Sequence, residues 1–146
     1  MSVKKIQVDV ISAEGPVFSG EAVSISLRGS DGELGISYGH TQLLTSIPPG
    51  TMRIRLDNDK EELLFVAGGI LEVQPGQVIT LADVVERPQD INEIAAQEAK
   101  QRAGEMLKDH SKDPLDLLEA QKILIESEAR LKVLELMKGI SSVSSL

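Results

Sequence analysis

Two histidines, a short acidic triplet and a run of spaced glycines are the residues here whose types could carry chemistry. His40 and His110 lie far apart in the chain, and neither has a second ligand beside it at metal spacing, so no zinc motif is present. Asp57-Asn58-Asp59 matches a calcium loop for three residues but lacks the glycine and the later bidentate glutamate at the required offsets, and it reads as a hairpin turn. Gly29, Gly32, Gly35 and Gly39 follow neither dinucleotide-binding nor Walker spacing, and Asp31 and Glu33 between them would repel a phosphate. No serine or threonine sits in a nucleophile elbow, and the carboxylates form no recognisable acid/base pair. With no cysteine there is no thiolate nucleophile, thiolate metal site or disulfide. The expectation is a chain that binds partners and has no catalytic, cofactor or metal site of its own.

The composition narrows the partners. The 146 residues are 41% hydrophobic and 26% charged, the balance of a folded soluble protein. Against 15 Lys plus Arg stand 23 Asp plus Glu, a net charge of −8, which repels a nucleic-acid backbone. No apolar run approaches the roughly 20 residues of a membrane helix, and none follows Lys4 and Lys5 as in a signal peptide. Direct membrane insertion and secretion are not expected, and a cytosolic setting is the default.

The elements that must position any binding surface change character at Asp90. Glycines, prolines and all three aromatic residues, Phe18, Tyr38 and Phe65, concentrate before it; Ala, Leu, Glu, Lys and Gln predominate after it. Before Asp90, Ile6-Val8-Val10, Val23-Ile25-Leu27 and Met52-Ile54-Leu56 alternate with polar residues as half-buried strands do. Asp57 to Lys60 turns the chain into the apolar run Leu63 to Ala67. Pro75-Gly76 joins Ile70–Gln74 to Gln77–Leu81, proline setting one turn torsion and glycine accepting the next. These spacings predict an antiparallel β-sandwich.

After Asp90 two helices are expected. Asp90 and Glu93 have the spacing of a capping box, and Ile91, Ile94, Ala95, Ala99, Ala103, Met106 and Leu107 would form the inner face of a helix ending near Lys108. Asp113 with Pro114 starts a second helix, which Gly139 is expected to end. The fold class is therefore α+β: a β-sandwich at 1–86, an αα-hairpin at 87–140 and a flexible tail at 141–146. The second helix carries two apolar stripes. Leu117, Ala120, Ile123, Leu124, Leu131 and Leu134 make one; Leu115, Leu118, Ile125, Ala129, Val133, Leu136 and Met137 make another on nearly the opposite side. One partner helix cannot cover both, so a second partner surface is expected.

Taken in order, Gly29-Ser30-Asp31-Gly32-Glu33-Leu34-Gly35-Ile36, Gly39-His40, Leu43-Leu44-Thr45, Pro49-Gly50 and Gly68-Gly69-Ile70-Leu71-Glu72-Val73 closely resemble the epsilon subunit of bacterial rotary ATP synthases. The resemblance covers essentially the whole chain. It departs at Ser37-Tyr38, where a proline is common before the glycine, and at Thr41-Gln42, where Ala-Pro is frequent.

The resemblance implies a noncatalytic rotor subunit in the central stalk of a proton- or sodium-driven synthase, peripheral on the cytoplasmic face of the bacterial plasma (inner) membrane. The sandwich would bind the gamma subunit and rest on the loops of the c ring, with Asp31, Glu33, His40 and Thr41 as c-ring contacts. The hairpin would be able to extend along gamma into the alpha and beta subunits of the catalytic head and restrain hydrolysis. Leu118, Ile125, Ala129 and Leu136 would then meet the alternative helix partner. A free-standing regulatory module with a helical docking arm is the competing reading.

Some members of that family bind ATP at the hairpin through an (Ile or Leu)-Asp-x-x-Arg-Ala motif. The matching stretch here is Ile91-Asn92-Glu93-Ile94-Ala95-Ala96, so the acid has become Asn92 and the arginine Ala95. Glu86, Arg102 and Arg130 match family positions and are the residual ATP-site candidates, but Glu126 replaces a further arginine. Loss of two cationic partners for the phosphates predicts no bound nucleotide.

Overall fold

A computed structural model describes residues 4–29 and 32–144. The chain divides into two compact units, Met1–Arg87 and Pro88–Leu146.

The first unit is a sandwich of two five-stranded sheets. One has the order β2 (Gly15–Ala22), β1 (Ile6–Ser12), β9 (Gln77–Leu81), β8 (Gly69–Gln74), β5 (Leu43–Ile47). The other runs β10 (Val85–Glu86), β7 (Glu61–Val66), β6 (Gly50–Arg55), β3 (Ser24–Gly29), β4 (Gly32–Ser37). Period-two alternation places Ile6, Val8 and Val10 of β1 against Ile25, Met52, Ile54 and Leu64 of the facing sheet, all in one apolar core. Among the described residues all pairings are antiparallel but one. β1 and β9 run parallel, with Val8 opposite Val78, so the sandwich is not purely antiparallel as expected.

Four strands lie outside the six that the sequence reading predicts, one of them the two-residue β10. β2 has little alternation because Gly15, Pro16 and Gly20 interrupt it and its register with β1 shifts between Val10 and Ile11. β5 is a short edge strand whose burial alternates although its residue types, Leu-Leu-Thr-Ser-Ile, do not. The glycine-rich segment, for which the sequence reading gives no strand, is the edge strand β4, held along its length by β3 from Ser24 opposite Ser37 to Gly29 opposite Gly32. Its Leu34 and Ile36 turn inward, Ile36 into the core.

Asp57–Asp59 forms the expected turn, with Asn58 and Asp59 at positive φ, 64° and 60°. Asn and Asp tolerate that region better than most residues. At the end of the unit Arg87 joins the two sheets, its Nη1 donating to Glu62 of β7 at 3.1 Å and its Nη2 to the Val17 carbonyl of β2 at 2.5 Å.

The second unit is the expected αα-hairpin with different boundaries. Helix α1 spans Glu93–Leu107 and is capped by Asn92, whose Oδ1 accepts from Ala95 N at 3.0 Å. The predicted Asp90 cap fails because Pro88–Asp90 close a 3-10 turn, with Ile91 N donating to the Pro88 carbonyl, and the α turn starts two residues later. Helix α2 spans Pro114–Ser144, about 46 Å at 1.5 Å per residue. Its start is as expected: Asp113 Oδ1 accepts from Leu115 N at 2.8 Å.

Gly139 does not end α2. A lone glycine costs about 1 kcal/mol in a helix interior, and no proline follows to enforce a stop. The helix covers 141–144 of the predicted tail, and residues 145–146 lie outside the described residues. The inner face of α1 also differs. Ala96 and Ala103 are buried, whereas Ile94 is 69% exposed. On α2 the buried Ala120 and Ser127 are again small, which lets the two helices approach closely. Lys138 Nζ donates to Glu93 Oε1 at 3.0 Å, linking the start of α1 to the late part of α2.

Candidate partner-binding surfaces

Three surfaces can be built from the residues upward. The first lies on the outer face of the β2-β1-β9-β8-β5 sheet. The turn at Pro75-Gly76 fixes the β8–β9 register, pairing Gln74 with Gln77, Val73 with Val78 and Ile70 with Leu81. Val73 and Val78 face the core, so Ile70 and Leu81, an odd number of steps away, face outward beside each other. Ser46 of β5 pairs with Ile70, and Leu44, two residues earlier on the same side, pairs with Glu72. Leu44, Ile70 and Leu81 are 71%, 51% and 49% exposed. An outer sheet face in contact with water ordinarily carries polar residues. Three large aliphatic side chains side by side mark an interaction surface. The sequence contained the signal: these residues occupy the wet parity of their strands with the wrong polarity, and the Pro-Gly turn fixes which ones meet.

The second surface is the end of the sandwich where β4 runs out. Gly39, at φ +86°, donates its N–H to the Pro75 carbonyl at 2.7 Å, holding the β4–β5 connection against the β8–β9 turn. Tyr38 lies beside that turn, and the Lys4 ammonium sits 4.9 Å from its ring centroid. His40 Nδ1 is 2.7 Å from the Thr41 carbonyl oxygen, an arrangement that calls for the proton on Nδ1. His40 and Thr41 thus share this end. Glu33 does not: it lies near the other end of β4, opposite Arg28. At about 3.3 Å per residue the four steps from Glu33 to Ser37 already span roughly 13 Å. Asp31 lies outside the described residues.

The third surface belongs to α2. Leu118 and Ile125 of the second stripe are 62% and 44% exposed, Leu115 of the same stripe is 74% exposed, and Ala129 and Leu136 are half-buried. Val133 of the same stripe is buried. In the α1–α2 connection Asp109 Oδ1 accepts from both the hydroxyl and the backbone N–H of Ser111, which holds its carboxyl below the usual carboxylate range.

Among the described residues no group of three or more His, Cys, Asp or Glu is placed to hold a metal ion. Among the described residues no helix is long and apolar enough to cross a membrane.

Residues 5–88 match the model of the ATP synthase delta/epsilon chain β-sandwich domain, and residues 89–135 match that of the delta/epsilon chain long α-helix domain. The chain belongs to the ATP synthase epsilon family. An ATP synthase epsilon chain of Francisella philomiragia is 46% identical over 140 residues, 96% of each chain, and one of Francisella tularensis is 45% identical over the same shares. Among solved structures, a chain of the Euglena gracilis mitochondrial ATP synthase F1/c-ring assembly superposes with TM-score 0.68 at 19% identity, over 93% of this chain and 81% of that one. A chain of the Tetrahymena thermophila mitochondrial ATP synthase central stalk/c-ring superposes at 0.61 and 14% identity, covering 92% and 99%. Those two likenesses concern the fold.

As an epsilon-family chain it is a noncatalytic subunit of ATP synthase. The nucleotide motif of some family members is not met by the side chains here. Asn92 commits its acceptor to capping α1, and Ala95 brings no cation. Of the residual candidates, Glu86 is half-buried on β10, Arg102 is exposed on α1 and Arg130 is half-buried on α2.

Proposed function

We propose that this epsilon-family chain is a rotor subunit of the central stalk that transmits c-ring rotation to the catalytic head through gamma, and that its helical hairpin restrains ATP hydrolysis. The observation that carries the reading is the outward aliphatic patch of Leu44, Ile70 and Leu81. A torque-bearing contact needs a rigid scaffold under it, and the patch rests on β5, β8 and β9, paired along their whole lengths. Burying each of these side chains against gamma contributes about 1.5–3 kcal/mol. The end of the sandwich with His40 and Thr41, together with Glu33, meets the polar loops of the c ring. Asp31 is carried with them from the family. The domain division into a β-sandwich for gamma and the c ring and a regulatory hairpin follows the same reading.

The hairpin acts through the second stripe of α2. Leu118 and Ile125, with Ala129 and Leu136, offer an apolar face to a helix of the alpha and beta head. In this reading the chain works as a peripheral subunit at the cytoplasmic face of the bacterial inner membrane.

Co-purification tests the stalk reading. The full chain is expected to be recovered with gamma and the catalytic head, and Ile70→Asp or Leu81→Asp is expected to fold normally while losing gamma. Recovery of both variants at the level of the native chain would overturn the docking face. ATPase activity of the assembled enzyme with and without residues 88–146 tests the brake: the truncated complex is expected to hydrolyse faster, and unchanged hydrolysis counts against inhibition by this arm.

A further inference from the structure

On the sheet opposite the aliphatic patch, the outer face of β4-β3-β6-β7 carries a shallow depression of about 470 Å³. Two rows of cross-strand partners line it. Ser37, Ser24, Arg55 and Glu61 face one another in turn across four strands, and Gly35, Ser26 and Arg53 form the next row. Gly35 has no side chain and nothing within 4 Å of where a Cβ would stand, which opens that side.

The polar groups in the depression are unequally used. Arg53 Nη1 donates to Glu61 Oε2 at 3.2 Å and takes up that carboxylate. Among the described residues, Arg55 has no ion-pair or hydrogen-bond partner for its guanidinium, and the hydroxyls of Ser24, Ser26 and Ser37 have none either. A charged donor fork and three neutral donors thus face one concavity in a chain of net charge −8. We infer that this depression is a binding site for a tetrahedral oxyanion, a phosphate or the terminal phosphate of an ester. The Arg55 guanidinium supplies the charge, Ser24, Ser26 and Ser37 supply hydroxyl donors, and Arg53 contributes the attraction that Glu61 leaves. It shares no residue with the partner-binding surfaces above.

The test is an amide and guanidinium NMR titration of the full chain with inorganic phosphate, sodium chloride holding ionic strength constant. Saturable shifts are expected at Ser24, Ser26, Ser37 and Arg55. Arg55→Gln is expected to weaken binding about tenfold or more, the size of a lost charge-assisted hydrogen bond. Ser26→Ala keeps the fold, since its side chain is exposed, and is expected to weaken it severalfold. Glu61→Gln is expected to tighten it by removing the competing carboxylate. A parallel titration with AMP, a phosphate monoester, distinguishes the sources: equal saturation assigns a phosphate ester, and saturation by phosphate alone assigns the free anion. Shifts that never saturate, or saturation that survives Arg55→Gln unchanged, would overturn the site.

Discussion

Gly69 brings its α-carbon so close to the carbonyl oxygen of Leu81 that a Cβ on Gly69 would collide with it. Gly68, at φ +98°, lies against the Ile47 carbonyl in the same way, 3.2 Å from where its Cβ would stand. The pair lets β8 start tightly between β5 and β9, with Ile47 opposite Gly69 and Ile70 opposite Leu81. The glycines therefore set the register that turns Ile70 and Leu81 outward together.

Gly69→Ala is expected to destabilise the β-sandwich by on the order of 3 kcal/mol, because the obstruction is backbone on a central ladder and its φ of +155° disfavours any L side chain. Gly35→Ala, with open space and φ outside the positive region, is the control and is expected to change stability little. Urea unfolding of both variants checks this; equal midpoints would remove the close-approach argument.

Gly139→Ala is expected to stabilise the hairpin by about 0.5–1 kcal/mol. Gly139 is inside α2, not beyond it, and a Cβ there meets nothing within 4 Å. Thermal unfolding of the full chain, followed by helical circular dichroism, reads the gain. A loss of stability would mean that the helix needs a left-handed residue at this position.

These glycines show what could and could not be read from the chain. Six strands and both helices were legible because Ile, Val and Leu alternate or recur with clear periods, as in Ile6-Val8-Val10 and Leu117-Ala120-Leu124. The edge strand β4 was not, although Leu34 and Ile36 alternate toward the core, since Gly29, Gly32, Gly35 and Gly39 give the segment the composition of a turn. The Asp90 cap lost to Asn92 because the Pro88–Asp90 turn used up the residues that the capping box required. The parallel β1–β9 pair depends on a contact some 70 residues long-range that no local pattern encodes. For the surfaces, the family resemblance pointed to Glu33, His40 and Thr41. The Leu44, Ile70 and Leu81 patch is instead present in strand parity, and only the register shows that the three meet.

Thr80→Val is expected to stabilise the sandwich by about 1 kcal/mol. Thr80 is fully buried on β9 between Val10 and Leu71, and its hydroxyl is the one buried side-chain polar atom among the described residues without a hydrogen-bond partner. Valine keeps the β-branched shape and removes the desolvated hydroxyl. Chemical denaturation measures the difference, and a destabilised variant would mean that the hydroxyl is satisfied in solution.

The Asp109 carboxyl is held below its ordinary 3.8 first by the Ser111 hydroxyl, then by the Ser111 backbone N–H. Because the folded value is the lower one, the unfolded chain binds more protons near that pH. The contribution of this turn to stability is therefore complete above the unfolded value and is lost as pH falls through the folded one. Ser111→Ala removes the larger cause and leaves the backbone bond, so the Asp109 midpoint is expected to rise toward its ordinary value without reaching it. Carboxyl-carbon NMR titration of both chains reads the two midpoints directly. An Asp109 midpoint that does not move in Ser111→Ala would show that the hydroxyl bond, and with it the ordered connection between α1 and α2, does not persist in solution.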